Sequence, residues 1–238
     1  MKLDILAIAA HPDDVELACS GTLISHVNQG RKVGVLDLTQ GELGTRGTPE
    51  IRKQEAIEGG RLMGLSVRDN LAFRDVFFLN DEEHQIELVK KIRHYQPEIV
   101  LANAISDRHP DHPKSSKLIS QACFMAGLKK IETEVDGSAQ KEWRPKAVYH
   151  YIQSNYVQPD LIVDISATFD KKMESIKAYK SQFYNPESGE PETFISSKQF
   201  LDLQEARATE FGKAIGVKYG EGFNVERFIG VKNLFDLI

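Results

Sequence analysis

Two cysteines are all that the 238 residues hold, Cys19 and Cys123, and no Cys-x-x-Cys spacing relates them. Such scarcity argues against a disulfide scaffold or a thiolate metal site and predicts buried free thiols in a cytoplasmic protein. No apolar run reaches the roughly 18 residues that a membrane span needs. The first residues lead straight into a strand pattern, not a signal peptide. A net charge of −5 leaves no general basic excess for nucleic acid or an anionic membrane surface. The first strand-to-helix turn lacks Gly-x-Gly-x-x-Gly, and no Gly-Lys-Ser/Thr follows the glycine-rich segment Gly41, Gly44, Gly47. Dinucleotide and P-loop phosphate binding therefore lack their fingerprints. There is no internal repeat and no low-complexity tract.

What is present reads as one α/β domain spanning residues 1–238. Hydrophobic residues make up 41% and charged residues 27% of a chain long enough to bury a sizeable core, which argues against disorder. Strand and helix patterns alternate, and alternation favours a mostly parallel sheet flanked by helices. Strands are predicted at Leu3–Ala9, Lys32–Leu38, Val67–Leu71, Glu98–Ala102, Ala147–Ile152 and Leu161–Ile165, with a short C-terminal strand or hairpin over Phe223–Val231. Helices are predicted at Val15–Gln29, Pro49–Met63, Asp81–Tyr95, Pro113–Ala126, Ala167–Lys180 and Ser197–Ile215. Gly30 should stop the first helix, and Thr48, Pro49 and Gly64 mark the cap, first turn and end of the second. Asn80 with Glu83 suggests a capping box on the third. The polar stretch Glu132–Trp143 reads as a surface excursion, and Asn185–Glu192 as a loop.

Two acidic-histidine clusters carry the chemistry. One is Ala10-His11-Pro12-Asp13-Asp14-Val15-Glu16, directly after the apolar run Ile5–Ala9. The other is Asp107-Arg108-His109-Pro110-Asp111-His112, shortly after Ile99–Ala102. Each falls where a buried strand ends and a helix begins, the edge of an open α/β sheet at which ligands bind. His11 and Asp14 stand at i and i+3 across a turn that can aim both at one point, and His112 completes a three-ligand set. Imidazole nitrogen and carboxylate oxygen suit Zn²⁺, with Fe²⁺ or Co²⁺ as alternatives, and three protein ligands leave a position open. Asp13 is free to take a proton from water, while Glu16 is better placed for a supporting contact. Taken singly, the first cluster reads as an ordinary turn with a capping carboxylate and the second as a solvated loop before a Pro-initiated helix; their coincidence at two strand ends favours the metal site. His26, His84, His94 and His150 have no such company and are assigned to surface or packing roles.

These two segments resemble the paired signatures of the LmbE-like, or PIG-L, N-deacetylases of N-acetylglucosamine derivatives. The likeness extends through Gly41–Gly47 and Arg52-Lys53-Gln54-Glu55. Tyr179-Lys180-Ser181-Gln182-Phe183, Glu205-Ala206-Arg207 and Gly216–Phe223 resemble the branch that deacetylates N-acetylglucosaminyl malate in bacillithiol biosynthesis. The resemblance implies a Rossmann-like fold, a mononuclear zinc or ferrous site held by His11, Asp14 and His112, and Asp13 as general base. It further implies that His109 stabilises the oxyanion or protonates the leaving amine, that Asp111 orients His109, and that Arg52 grips the substrate. A small-molecule sugar conjugate is the expected partner, and a homo-oligomer, such as the hexamer the family often forms, the expected assembly. Arg52 opposes the dipole at its own helix start but follows the glycine-rich loop at the same sheet edge, where a guanidinium fork suits carboxylates or sugar hydroxyls.

Three other readings stay open. The first is a general N-acetylglucosamine or chitooligosaccharide deacetylase. The second, a metal phosphoesterase, is disfavoured because that chemistry often recruits two metals and only one clear ligand set is present. The third, a Rossmann-like nucleotide-binding protein with an incidental metal, is disfavoured by the missing glycine fingerprint.

Overall fold

In the computed structural model, which describes residues 1–237, the first half alternates strictly. It runs β1 (Ile5–Ala9), α1 (Asp14–Asn28), β2 (Val33–Thr39), α2 (Pro49–Met63), β3 (Val67–Phe73), α3 (Glu82–Tyr95), β4 (Ile99–Ala102) and α4 (Asp111–Ala126). The excursion that follows is a small hairpin, β5 (Glu134–Val135) and β6 (Ser138–Ala139), turned at Asp136-Gly137 with φ of 50° and 72°. An Asp-Gly pair tolerates that left-handed turn. The remainder is β7 (Ala147–Tyr151), β8 (Leu161–Asp164), α5 (Phe169–Lys177), α6 (Lys198–Ala214) and β9 (Gly220–Val225).

Seven strands form one sheet in the order β3-β2-β1-β4-β7-β9-β8. β1 pairs in parallel with β2 on one side and β4 on the other, and β4 pairs in parallel with β7. Every residue of β1 and of β2 is buried, as expected for central parallel strands covered on both faces. Alternation sends Leu6 and Ile8 towards α3 and α4, where they meet Leu88, Ile92, Leu118 and Ala122. Ile5 and Ala7 face the other way, with Val15, Leu23 and Met63. Because the chain leaves β1 towards β2 and later returns on the opposite side as β4, a crevice opens beyond the carboxyl ends of β1 and β4. This is the topological switch point of the sheet.

Local signals act as anticipated around α2. Thr48 accepts the Ile51 amide, Pro49 opens the helix, and Gly64 closes it at φ 72°. At α3 the cap is Asp81, which accepts the His84 amide at 3.1 Å, whereas the Asn80 side-chain oxygen is taken by Gln85 at 2.8 Å. The last strand also departs from expectation. The expected C-terminal strand is present, but β9 starts at Gly220, ends at Val225 and lies antiparallel between β7 and β8, so it is an interior strand that begins earlier than Phe223 and stops short of Val231. Glycines weaken the strand signal there, yet a Cβ at Gly222 would stand 2.9 Å from the Phe211 ring, so their absence of side chain lets α6 lie close. Cys19 and Cys123 are buried free thiols. Among the described residues, no helix is long and apolar enough to cross a membrane.

Candidate active site

At the end of β1 the chain turns sharply. The Asp14 amide donates to the His11 carbonyl at 3.3 Å, and Asp13 sits at φ 112°, outside the region a non-glycine residue ordinarily adopts. Asp14 is the hub of the site. Its Oδ2 accepts the His11 amide and the Asn103 side chain, each at 3.0 Å, and its Oδ1 accepts Gln153 at 2.9 Å. The same carboxylate lies 3.0 Å from His112 Nε2 and 3.7 Å from His11 Nδ1. The predicted ligand residues His11, Asp14 and His112 are therefore brought together, all three buried.

Each imidazole has its other nitrogen on an outer carboxylate. His112 Nδ1 is 3.0 Å from Asp107, whose second oxygen accepts the amides of Ser154 and Asn155. His11 Nε2 is 3.1 Å from Asp75 and 3.2 Å from Asp111. Carboxylates behind the rings fix ring orientation and raise donor strength, the arrangement usual behind metal-ligating histidines. The donor types, two imidazole nitrogens and a carboxylate oxygen, suit a borderline divalent ion. Among the described residues, two trios have donor atoms within 4.8 Å of one another, namely His11, His109, His112 and His11, Asp75, Asp111; the expected trio His11, Asp14, His112 is not one of them, although Asp14 lies beside each of the two histidines.

The charges reflect this crowding. Burial would lower His11, but hydrogen bonds to Asp111 and Asp75 outweigh it and push the imidazole up to about 10. Burial likewise opposes the charged form of His112, yet Asp14 and Asp107 raise it to about 9. Burial would raise Asp14, but the adjacent His112 and His11 hold it well below the usual carboxylate range. Asp13 goes the other way: burial lifts it to about 7 despite Arg52. His109 is lowered, first by burial and then by repulsion from His11 and His112, which leaves it a neutral imidazole near pH 7. Its Nδ1 accepts the Asp111 amide at 3.3 Å, so the proton belongs on Nε2.

Two expected roles look different in place. The Asp111 carboxylate reaches His11 and Lys114, not the His109 ring; only its backbone amide touches His109. Arg52, expected to grip substrate, lines the same cavity but is buried, and its guanidinium also serves the protein itself. Its Nη2 donates to the Pro12 carbonyl at 2.6 Å and Asp13 Oδ2 at 3.2 Å, and its Nη1 to the Gly41 carbonyl at 3.1 Å. Gly41 is required there, since a Cβ would lie 1.8 Å from that guanidinium. Glu16 makes no approach to the donor atoms; it is buried against Arg68 and the Tyr179 hydroxyl.

Sequence reasoning gave no role to Asn103, Gln153, Asp75 or Asp107. The first two directly follow β4 or lie just past β7, and Asp75 lies just past β3, so all share the sheet edge that singled out the two clusters. Above the buried groups is a cavity of about 310 Å³ whose walls include Asp13, His109, Arg46, Arg108, Phe194 and Arg207. Arg46 is tied to Glu190 and Ser188, Arg207 to the Ser154 carbonyl, and Arg108 stacks at 4.2 Å on Phe194.

Comparison with known proteins agrees with this geometry. The family described as PIG-L: GlcNAc-PI de-N-acetylase matches residues 6–123, the segment that carries both clusters. The crystal structure of the conserved protein TT1542 from Thermus thermophilus superposes with a TM-score of 0.86 at 34% identity, over 97% of this chain and 98% of that one. Diacetylchitobiose deacetylase of Thermococcus kodakarensis is 27% identical over 92% of this chain and 81% of its own length. A probable N-acetyl-alpha-D-glucosaminyl L-malate deacetylase 2 of Bacillus subtilis is 25% identical over 76% and 84%. The 4-oxalmesaconate hydratase of Pseudomonas putida is 26% identical over 74% and 73%. With the α/β architecture, the paired clusters at the switch point and this family match in agreement, the chain belongs to the PIG-L, or LmbE-like, deacetylase family.

Proposed function

We propose that the chain is a divalent-metal-dependent N-deacetylase that releases acetate from an N-acetylglucosamine conjugate, with N-acetylglucosaminyl malate as the preferred substrate. The observation that carries the reading is the convergence of His11, Asp14 and His112 at the switch point, with Asp13 and His109 beside them on the same cavity. His11, Asp14 and His112 would hold the ion, Zn²⁺ or Fe²⁺. When bound, it supplies Lewis acidity toward the acetyl carbonyl and toward water.

The chain's own groups supply the rest. Asp13, held by Arg52, accepts a proton from the attacking water and returns it to the amine nitrogen as the C–N bond breaks. His109, neutral with its proton on Nε2, donates to the carbonyl oxygen as negative charge develops there. The Asp111 amide supports His109 by fixing that tautomer, and the Asp111 carboxylate supports His11. The arginines around the cavity mouth, Arg46, Arg108 and Arg207, suit an anionic aglycone, and binding energy from such a non-reacting group can be used to place the acetyl carbonyl. The malate reading has further support in the Bacillus subtilis relative, and a chito-oligosaccharide substrate in the Thermococcus relative. We also infer a homo-oligomer, because the exposed apolar residues Phe228, Leu234 and Phe235 leave a tail segment that a second copy could cover; light scattering measures the assembly state.

The test is acetate release from N-acetylglucosaminyl malate, free N-acetylglucosamine and diacetylchitobiose, side by side. A much higher kcat/KM for the malate conjugate supports the full reading. Equal values would leave a general sugar N-deacetylase. No acetate from any of the three, with hydration of a carbon–carbon double bond in 4-oxalmesaconate chemistry instead, would replace the reading altogether.

A further inference from the structure

We infer that Asp75 is a positioning residue for the metal centre: with Asp111 it holds the Nε2 edge of His11, so that Nδ1 is the nitrogen His11 presents towards Asp14 and a bound ion. The inference rests on the metal reading of this site.

Three observations support it. First, the two edges of the His11 ring face different partners. Nδ1 lies on the Asp14 side at 3.7 Å, whereas Nε2 is 3.1 Å from Asp75 and 3.2 Å from Asp111. A nitrogen that donates its proton to carboxylates cannot also ligate, so these contacts decide which nitrogen is free. Second, two buried carboxylates share one ring nitrogen, and like charges placed so close repel. The arrangement is favourable where positive charge sits on the far side of the ring. Third, the Asp75 loop is held in an uncommon conformation. Val76, a β-branched residue, has φ 64°, in the left-handed region that such side chains avoid. That conformation points the Val76 amide at Asp111 at 3.1 Å, while Lys114 grips the Val76 carbonyl at 2.6 Å and the Asp111 carboxylate at 2.7 Å.

Asp75 also links His11 to the glycine-rich loop. Its Oδ2 accepts the Leu43 amide at 3.2 Å and its own amide donates to Glu42 at 2.7 Å. The loop on the cavity rim and the ring of a metal ligand are therefore joined through one side chain.

The experiment measures Zn²⁺ affinity by chelator competition in the unmodified protein, Asp75→Asn and Asp75→Ala, with the Co²⁺ absorption spectrum as a second readout. Loss of an outer carboxylate of this kind typically weakens metal binding about 10- to 100-fold. That range is expected for Asp75→Ala, with an altered Co²⁺ spectrum, and a smaller loss for Asp75→Asn, whose amide oxygen still accepts from Nε2. Long-range ¹H–¹⁵N spectra of the zinc-loaded unmodified protein should show the His11 proton on Nε2, and this readout stands even if the alanine variant does not fold. A proton on Nδ1, or unchanged Zn²⁺ affinity in the variants while the unmodified protein binds zinc, would overturn the inference alone. An unmodified protein that binds no divalent ion would overturn the metal reading first.

Discussion

The floor of the cavity and its rim differ in how many partners hold each functional side chain. On the floor, Asp14 is met by His11, Asn103, Gln153 and His112, and each of these two histidines is backed by at least one further carboxylate. Such over-determined groups tolerate backbone strain of the kind seen at Asp13 and Val76. On the rim, Arg108 rests on the exposed ring of Phe194, and Arg46 is tied to Glu190 and Ser188 on the Asn185–Glu192 loop. The contrast teaches a division of labour. Positions fixed by several buried partners suit bond-breaking chemistry, which needs reacting groups held within a fraction of an ångström. Positions with one or two partners, on loops at the surface, suit discrimination among aglycones.

Breaking the floor should have the largest effects. Asp14→Ala or His112→Ala removes one of the three proposed ligands, and both bound metal by elemental analysis and turnover should be lost. Stoichiometric metal in either variant would assign the ligands elsewhere. Asp13→Asn should keep the metal but lose about 10²- to 10⁴-fold in rate, the usual contribution of a positioned acid–base group. Because Arg52 clamps Asp13, Arg52→Ala should lower kcat on charged and neutral substrates alike. A KM effect confined to the malate conjugate would instead restore Arg52 to substrate binding. His109→Ala should cost about 10²- to 10³-fold in kcat with little change in KM, as for loss of one oxyanion donor.

The pH dependence sharpens the same comparison. In the metal-free protein His11 and His112 are raised to about 10 and about 9, above the ordinary value of 6.5. A raised histidine contributes stability that is complete below pH 6.5 and is lost as pH rises through the folded value. Thermal melting of the metal-free protein should therefore fall between about pH 6.5 and 10 from this contribution. Metal must displace these protons, so its affinity and the melting increment it confers should grow over the same window. An increment independent of pH would contradict the protonation scheme. At the rim the effect should be smallest: Arg108→Ala should raise KM for the malate conjugate about tenfold or less, with kcat nearly unchanged.

How far the molecule could be read in advance follows the same line between local and long-range information. The bounds of α2 were legible to the residue because Thr48, Pro49 and Gly64 act within one turn of themselves. The C-terminal strand β9 was legible but its start was not, because Gly220 and Gly222 serve a helix packed across the sheet, a cause invisible in the strand's own sequence. His11, Asp13 and Asp14 were legible as one contiguous motif, and His112 as a second at the same kind of strand end. Their supports were not. Gln153 meets Asp14 across 139 residues and Asp75 meets His11 across 64, each as a polar residue after a strand with no motif to mark it. Arg52 was found as a residue of the site, but its role depended on carbonyls of Pro12 and Gly41 that no side-chain pattern encodes.

The most direct test is to strip the protein of metal, restore it with Zn²⁺, Fe²⁺ or Co²⁺, and follow acetate release from N-acetylglucosaminyl malate at each step. The account predicts that activity disappears on stripping and returns as one ion per chain is restored, with Asp14→Ala failing to recover under the same treatment. Acetate release that persists undiminished in the stripped protein would contradict it.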